Sequence, residues 1–157
     1  MTLLETLTVS ASGVNSSSLS QDYINLYIII RGITANDNLD MNVRFNSDSG
    51  NNYQTRGVFT DTAAASTNGA ATDKISGIAT VGSGITADGI IIINRYTDTT
   101  RRLISTELDG GVGGPTLRYQ KNLCNYTGSS AISTIQFSRA DAGISFTAGT
   151  IYIYGVK

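Results

Sequence analysis

The sequence predicts an all-β protein, an antiparallel β-sandwich of jelly-roll type folded as a single domain over residues 1–157. Three observations predict it. Apolar and polar residues alternate with period two along much of the chain, which is how a strand buries one face and wets the other. The alternating segments are separated by turns rich in Gly, Asn, Asp and Ser, with 17 Gly in the chain and a single Pro, Pro115. Charged residues make up only 15%. Ser, Thr and Asn supply the remaining polarity, and their side chains compete with helical backbone bonds.

Each element follows from its own pattern. Leu39, Met41, Val43 and Phe45 fall on one face of a strand, with Asp40, Asn42, Arg44 and Asn46 on the other. Further strands are expected over 3–11, 24–33, 89–96, 102–108, 117–126, 131–137 and 150–156. The runs Ile24–Ile30 and Ile90–Ile93 are nearly all apolar and predict central strands covered on both faces. The last strand sets Ile151 and Ile153 against Tyr152, Tyr154 and Val156, and tyrosines there suit an outward face or an interface. Phe45 and Tyr53 bracket a predicted hairpin in which Gly50 supplies a positive φ, while Gly149 turns the chain into its closing strand. The stretch 60–84 is rich in small residues and reads as a long loop.

Composition narrows the chemistry. The chain contains no His, which removes the commonest general base and metal ligand and every Ser-His-Asp or Cys-His arrangement. The single Cys124 excludes an internal disulfide and a multi-cysteine metal site, and reads as a packed thiol. Two Glu and scattered Asp, mostly in turns, give no carboxylate pair for glycoside hydrolysis. Asn46, Asp48, Gly50 and Asn52 alternate as oxygen ligands do in calcium loops, but no closing Glu follows and a turn explains them. Net charge is −1 and only Arg101 and Arg102 adjoin, so nucleic acid is not an expected partner. The N-terminal residues lack a basic region and an apolar core of signal-peptide length, and no apolar run is long enough to span a bilayer. These readings predict a non-enzymatic protein without cofactor or metal, made in a reducing cytoplasm.

Four blocks, in order along the chain, carry a resemblance. Leu19-Ser20-Gln21-Asp22-Tyr23-Ile24-Asn25-Leu26 resembles an "Ile-Pro-Gln-x-Tyr-x-x-Leu" opening, with Ser20 where that motif has Pro. Val43 to Tyr53 is similar to "Arg-Phe-Asn-Gly-Asp-x-Gly-x-Asn-Tyr", and Ile93 to Arg102 to a "Tyr-x-Asn-x-x-x-x-Lys" strand pair. Ile132 to Phe137 followed by Phe146 to Lys157 resembles an ending "Phe-x-x-Gly-Ser-x-Ile-x-Leu-Tyr-Gly-Ile", whereas Cys124-Asn125-Tyr126 stands where a Trp is common. Together they resemble the small β-sandwich virion structural proteins of tailed phages.

That resemblance implies no activity and no catalytic residues. It implies a capsid decoration, or cement, protein that bridges and stabilises major capsid subunits on the virion surface, with the major capsid protein and further copies of itself, as a homotrimer, for partners. The alternative is a receptor-binding module of a tail or head fibre, whose partner would be host glycan. Contacts are expected at strand edges and polar loops rather than at a large apolar face. Candidate contact residues are Ala63, Ala64, Ala65, Thr67 and Asn68 in the small-residue stretch, Arg101 and Arg102 beside a strand, and Tyr152 and Tyr154.

Overall fold

A computed structural model describes residues 1–10, 12–60, 65–68, 71–82, 84–111, 117–139 and 143–157. These hold twelve strands and no helix: β1 (Thr2–Thr8), β2 (Gly13–Asn15), β3 (Asn25–Ala35), β4 (Leu39–Phe45), β5 (Tyr53–Thr60), β6 (Ala65–Asn68), β7 (Ile75–Val81), β8 (Ala87–Ile93), β9 (Arg102–Gly111), β10 (Leu117–Tyr126), β11 (Ile135–Arg139) and β12 (Phe146–Val156). They form two antiparallel sheets. The large one runs β1-β12-β3-β8-β9-β10-β5-β6 and the small one β2-β11-β4-β7. The chain crosses between sheets repeatedly, and a single apolar core lies between them.

Alternation works as the sequence predicts in β4 and β12. Leu39, Met41, Val43 and Phe45 are buried, as are Ile151 and Ile153, while Tyr152, Tyr154 and Val156 lie on the opposite face. In β4, Asn42 is buried as well, because its Oδ1 accepts the backbone N–H of Gly77 at 3.1 Å. Ile28, Ile30, Ile91 and Ile93 point into the core, with at most 1% of their surface exposed.

Four expectations need correction. The stretch 60–84 is not one long loop: it contains β6 and β7, and Ile75, Ile78, Ala79 and Val81 of β7 are buried. Its period-two signal is broken where Gly77 adopts φ 61° and the pairing with β4 shifts register. Phe45 and Tyr53 do not bracket a hairpin, since β4 and β5 lie in different sheets and the segment between them is a crossing. The left-handed residues of that crossing are Asn46 (φ 53°) and Ser47 (φ 54°), not Gly50. Asn enters this region more readily than most residues, and Asn46 is held there by long-range bonds, its Oδ1 accepting from the N–H groups of Ser133 and Thr134. Gly149 (φ 135°) sits inside β12 between two register shifts, where a Cβ would run into Ile33, so it makes a bulge rather than a turn.

Candidate functional site: the outer face of the large sheet

The fourth correction concerns the large sheet itself. Its inner face meets the small sheet, but no third layer of described residues covers its outer face. The apolar runs are central in the sheet, between β12 and β9, yet they are covered on one side only. Cross-strand registers place Tyr154, Tyr27 and Ile92 side by side across β12, β3 and β8, and Tyr152, Ile29 and Ile90 in the next row. These six side chains are half-buried against one another. Leu3 on β1 extends the first row at 50% exposure. On β9, β10 and β5, Leu103, Leu123, Tyr119 and Val58 are all exposed. Scattered apolar residues on a surface need no explanation, but a contiguous belt marks a contact site.

The charges on this face are largely cancelled within it. Arg31 Nε lies 3.2 Å from Asp88 Oδ1, and Lys121 pairs with Glu107 across β10 and β9. The Glu107 carboxyl is held below its ordinary range by its bond to Lys121, and the Lys121 ammonium is raised by the same bond.

At one end of the face β9, β10 and β5 form a shallow groove of about 230 Å³, lined by Gln54, Arg56, Arg101, Leu103, Leu123 and Asn125. Asn125 stands opposite both Leu103 and Gln54, and Leu123 opposite Arg56. Arg101 Nε–H donates to Asn125 Oδ1 at 2.8 Å, which fixes the guanidinium beside the groove.

Beneath the groove lies a buried corner. Arg102, one residue from Arg101, points inward and is fully buried. It donates to the carbonyls of Asp98 (2.8 Å) and Gly128 (2.7 Å), and its guanidinium carbon sits 4.5 Å from the centre of the Tyr126 ring. Burial draws its pKa down. Tyr126 packs on Phe45 and Tyr53 at centroid distances of 5.2 and 4.8 Å, and its hydroxyl donates to Asp48 Oδ2. Burial, and then the Asp48 carboxylate, push the Tyr126 hydroxyl up to about 12.

The predicted contact residues therefore separate. Tyr152 and Tyr154 stand in the apolar belt and Arg101 borders the groove, while Arg102 is a core residue and no contact. Ala65, Thr67 and Asn68 belong to β6 at the edge of the large sheet, and Ala63 and Ala64 lie outside the described residues. Tyr27, Ile29, Ile90, Ile92, Leu103, Leu123 and Arg56 were not expected on the site. Their signal was present in β10: if Cys124 and Tyr126 point inward, period two puts Leu123 outward.

The calcium-like turn has its oxygens engaged. Asp48 Oδ1 accepts from Gly50 N–H at 2.8 Å, and Oδ2 accepts from Asn52 and Tyr126. Among the described residues no group of three His, Cys, Asp or Glu comes together as a metal would require. Cys124 is buried, and burial pushes its thiol up to about 11, so little thiolate forms near neutral pH. Among the described residues no helix is long and apolar enough to cross a membrane. No family model, no curated protein and no solved structure matches the chain.

Proposed function

We propose that the chain is a non-enzymatic structural module of a virion, which self-associates through the outer face of its large sheet and acts as a capsid decoration protein bridging major capsid subunits. The apolar belt of Tyr27, Ile29, Ile90, Ile92, Tyr152 and Tyr154 is the observation that carries self-association. The four strands that carry the belt, β1, β12, β3 and β8, lie about 4.8 Å apart. With three outward rows about 6.7 Å apart they give roughly 400 Å² of sheet plane, the scale of a non-obligate contact that leaves the groove on β9, β10 and β5 uncovered. Because the Arg31–Asp88 pair beside the belt cancels internally, a like-charged copy is not repelled there.

A face that meets its own copy closes as a two-fold pair. The homotrimer and the capsid location rest on the sequence resemblance, as does the jelly-roll reading of the sandwich. The repeated crossing between sheets supports that reading, although β8-β9-β10 run as a simple meander. The groove favours the second reading, a receptor-binding fibre module.

Light scattering on the purified chain tests self-association. The wild type is expected to give a multiple of the 16.6 kDa chain mass. Ile90→Lys with Tyr152→Lys should give monomer with an unchanged circular dichroism spectrum, since both side chains lie outside the core. A wild type that is monomeric at micromolar concentration would remove the role assigned to this face. Copy number per particle then separates the two virion readings: many copies accompany a capsid role, few a fibre.

A further inference from the structure

Arginines in this fold are almost all engaged. Arg31, Arg44 and Arg95 pair with Asp88, Asp73 and Asp98, while Arg102 and Arg139 donate to backbone carbonyls. Arg118 donates to Thr80. The groove holds the exceptions. Among the described residues Arg56 has no hydrogen bond or ion pair, and Arg101 bonds to them through Nε alone, which leaves its two terminal nitrogens without a partner there. Among the described residues no carboxylate lines the groove. Two guanidinium groups thus share one concavity on a chain whose net charge is −1.

The other lining residues narrow what those donors would meet. Leu103 and Leu123 are 38% and 54% exposed and give the groove an apolar surface. Gln54 and Asn125 each bring a carbonyl oxygen and an NH₂ group, which match hydroxyls as acceptor and donor. A planar guanidinium meets a carboxylate through two parallel bonds, which an ammonium cannot do. We propose that this groove binds a carboxylate-bearing saccharide unit: its carboxylate between Arg56 and Arg101, its ring on the leucine surface and its hydroxyls on the two amides. The site is independent of the capsid reading and of the apolar belt, which lies across β12, β3 and β8.

The test is a titration of the intact protein, followed by isothermal calorimetry and by the methyl resonances of Leu103 and Leu123. The probes are an oligogalacturonate, the neutral oligogalactose of equal length and inorganic phosphate. Saturable binding of the acidic oligosaccharide is expected, at least about tenfold tighter than either other probe, with both leucines shifting. Arg56→Ala and Arg101→Ala should each weaken it roughly tenfold or more, as the loss of charged hydrogen bonds does. Arg56→Lys should fail to restore it. Tyr152→Lys should break self-association and leave the sugar affinity unchanged, so that the failure of either assignment is seen separately. Equal affinity for the neutral sugar, equal affinity for phosphate, no saturable binding, or indifference to the arginine substitutions would each overturn the proposal.

Discussion

The two halves of the large sheet bury their inner faces by different means. Across β12, β3 and β8 the inward residues are Ile28, Ile30, Ile91, Ile93, Ile151 and Ile153, all essentially without exposed surface. Across β9, β10 and β5 the inward row includes Thr106, Gln120 and Asn122, while Leu123 and Tyr119 of β10 face outward. β10 therefore inverts the usual rule. The cause lies in the facing layer. β7 is irregular at Gly77, and its backbone groups need partners that a regular ladder would have supplied. Gln120 Nε2 donates to the Gly77 carbonyl at 3.0 Å, and Asn42 accepts the N–H of the same residue. Asn122 Nδ2 then donates to Thr106 Oγ1 at 3.1 Å. Which face is interior is thus set by the partner layer, and residue type follows whatever that layer leaves unsatisfied.

The adjacent pair Arg101 and Arg102 gives the widest separation between the inner and outer faces. Arg102→Met removes both donors to the Asp98 and Gly128 carbonyls and the contact with Tyr126. It should destabilise the fold by about 3 kcal/mol or more, since buried acceptors left unpaired cost about 1–3 kcal/mol each. Arg101→Met, on the exposed side, should stay within about 0.5 kcal/mol of wild type. Urea unfolding of both variants checks the pair, and equal losses would break the distinction between the faces.

A smaller effect tests the polar half. Gly57 faces Asn122 in register, and a Cβ there would land on Asn122 Oδ1. Gly57→Ala should cost about 1–3 kcal/mol, the range of overpacking. Adding Asn122→Ala should recover part of that loss, because the two positions compete for one space. Strictly additive losses in the double variant would show that the clash is relieved some other way.

The smallest effect belongs to the crossing between sheets. Burial pushes the Asp48 carboxyl up, but hydrogen bonds from Gly50, Asn52 and Tyr126, with the charge of Arg44, outweigh it and hold the group below its ordinary range. A depressed folded pKa stabilises the fold above the unfolded value of about 3.9, and that contribution is lost as pH falls through the folded value. Wild-type stability should therefore drop more steeply than that of Asp48→Asn between about pH 4 and pH 2, as measured by thermal unfolding. Parallel profiles would exclude Asp48 as a source of the acid sensitivity.

The all-β class with antiparallel sheets, most strand positions, the apolar face of β4 and both faces of β12 were legible, because each is a local pattern of side-chain type. What stayed illegible was set by partners distant in sequence. The continuous run Ile90–Ile93 reads the same whether its second side meets another layer or solvent, so the open face was not visible from it. β7 was hidden because its bulge breaks period two. Arg102 read as a surface charge, since only the convergence of Asp98, Gly128 and Tyr126 makes its burial tolerable. Within the groove Arg101 was legible, whereas Arg56 was not, because its relation to Arg101 exists only across three strands.

The place of β12 has a consequence for how the chain matures. Residues 146–156 sit between β1 and β3, so the last strand of the sequence separates two of the first. During vectorial synthesis β3 can pair with β8 on one side, but its other side and the whole of β1 must wait until β12 has been made. Contacts spanning almost the full chain are slow to form, and the waiting edge exposes β-rich apolar sequence meanwhile. The nascent chain is thus most vulnerable to mispairing with its neighbours on a polysome in the interval before β12 emerges, and anything that shields the free edge of β3 in that interval should raise the yield of native protein.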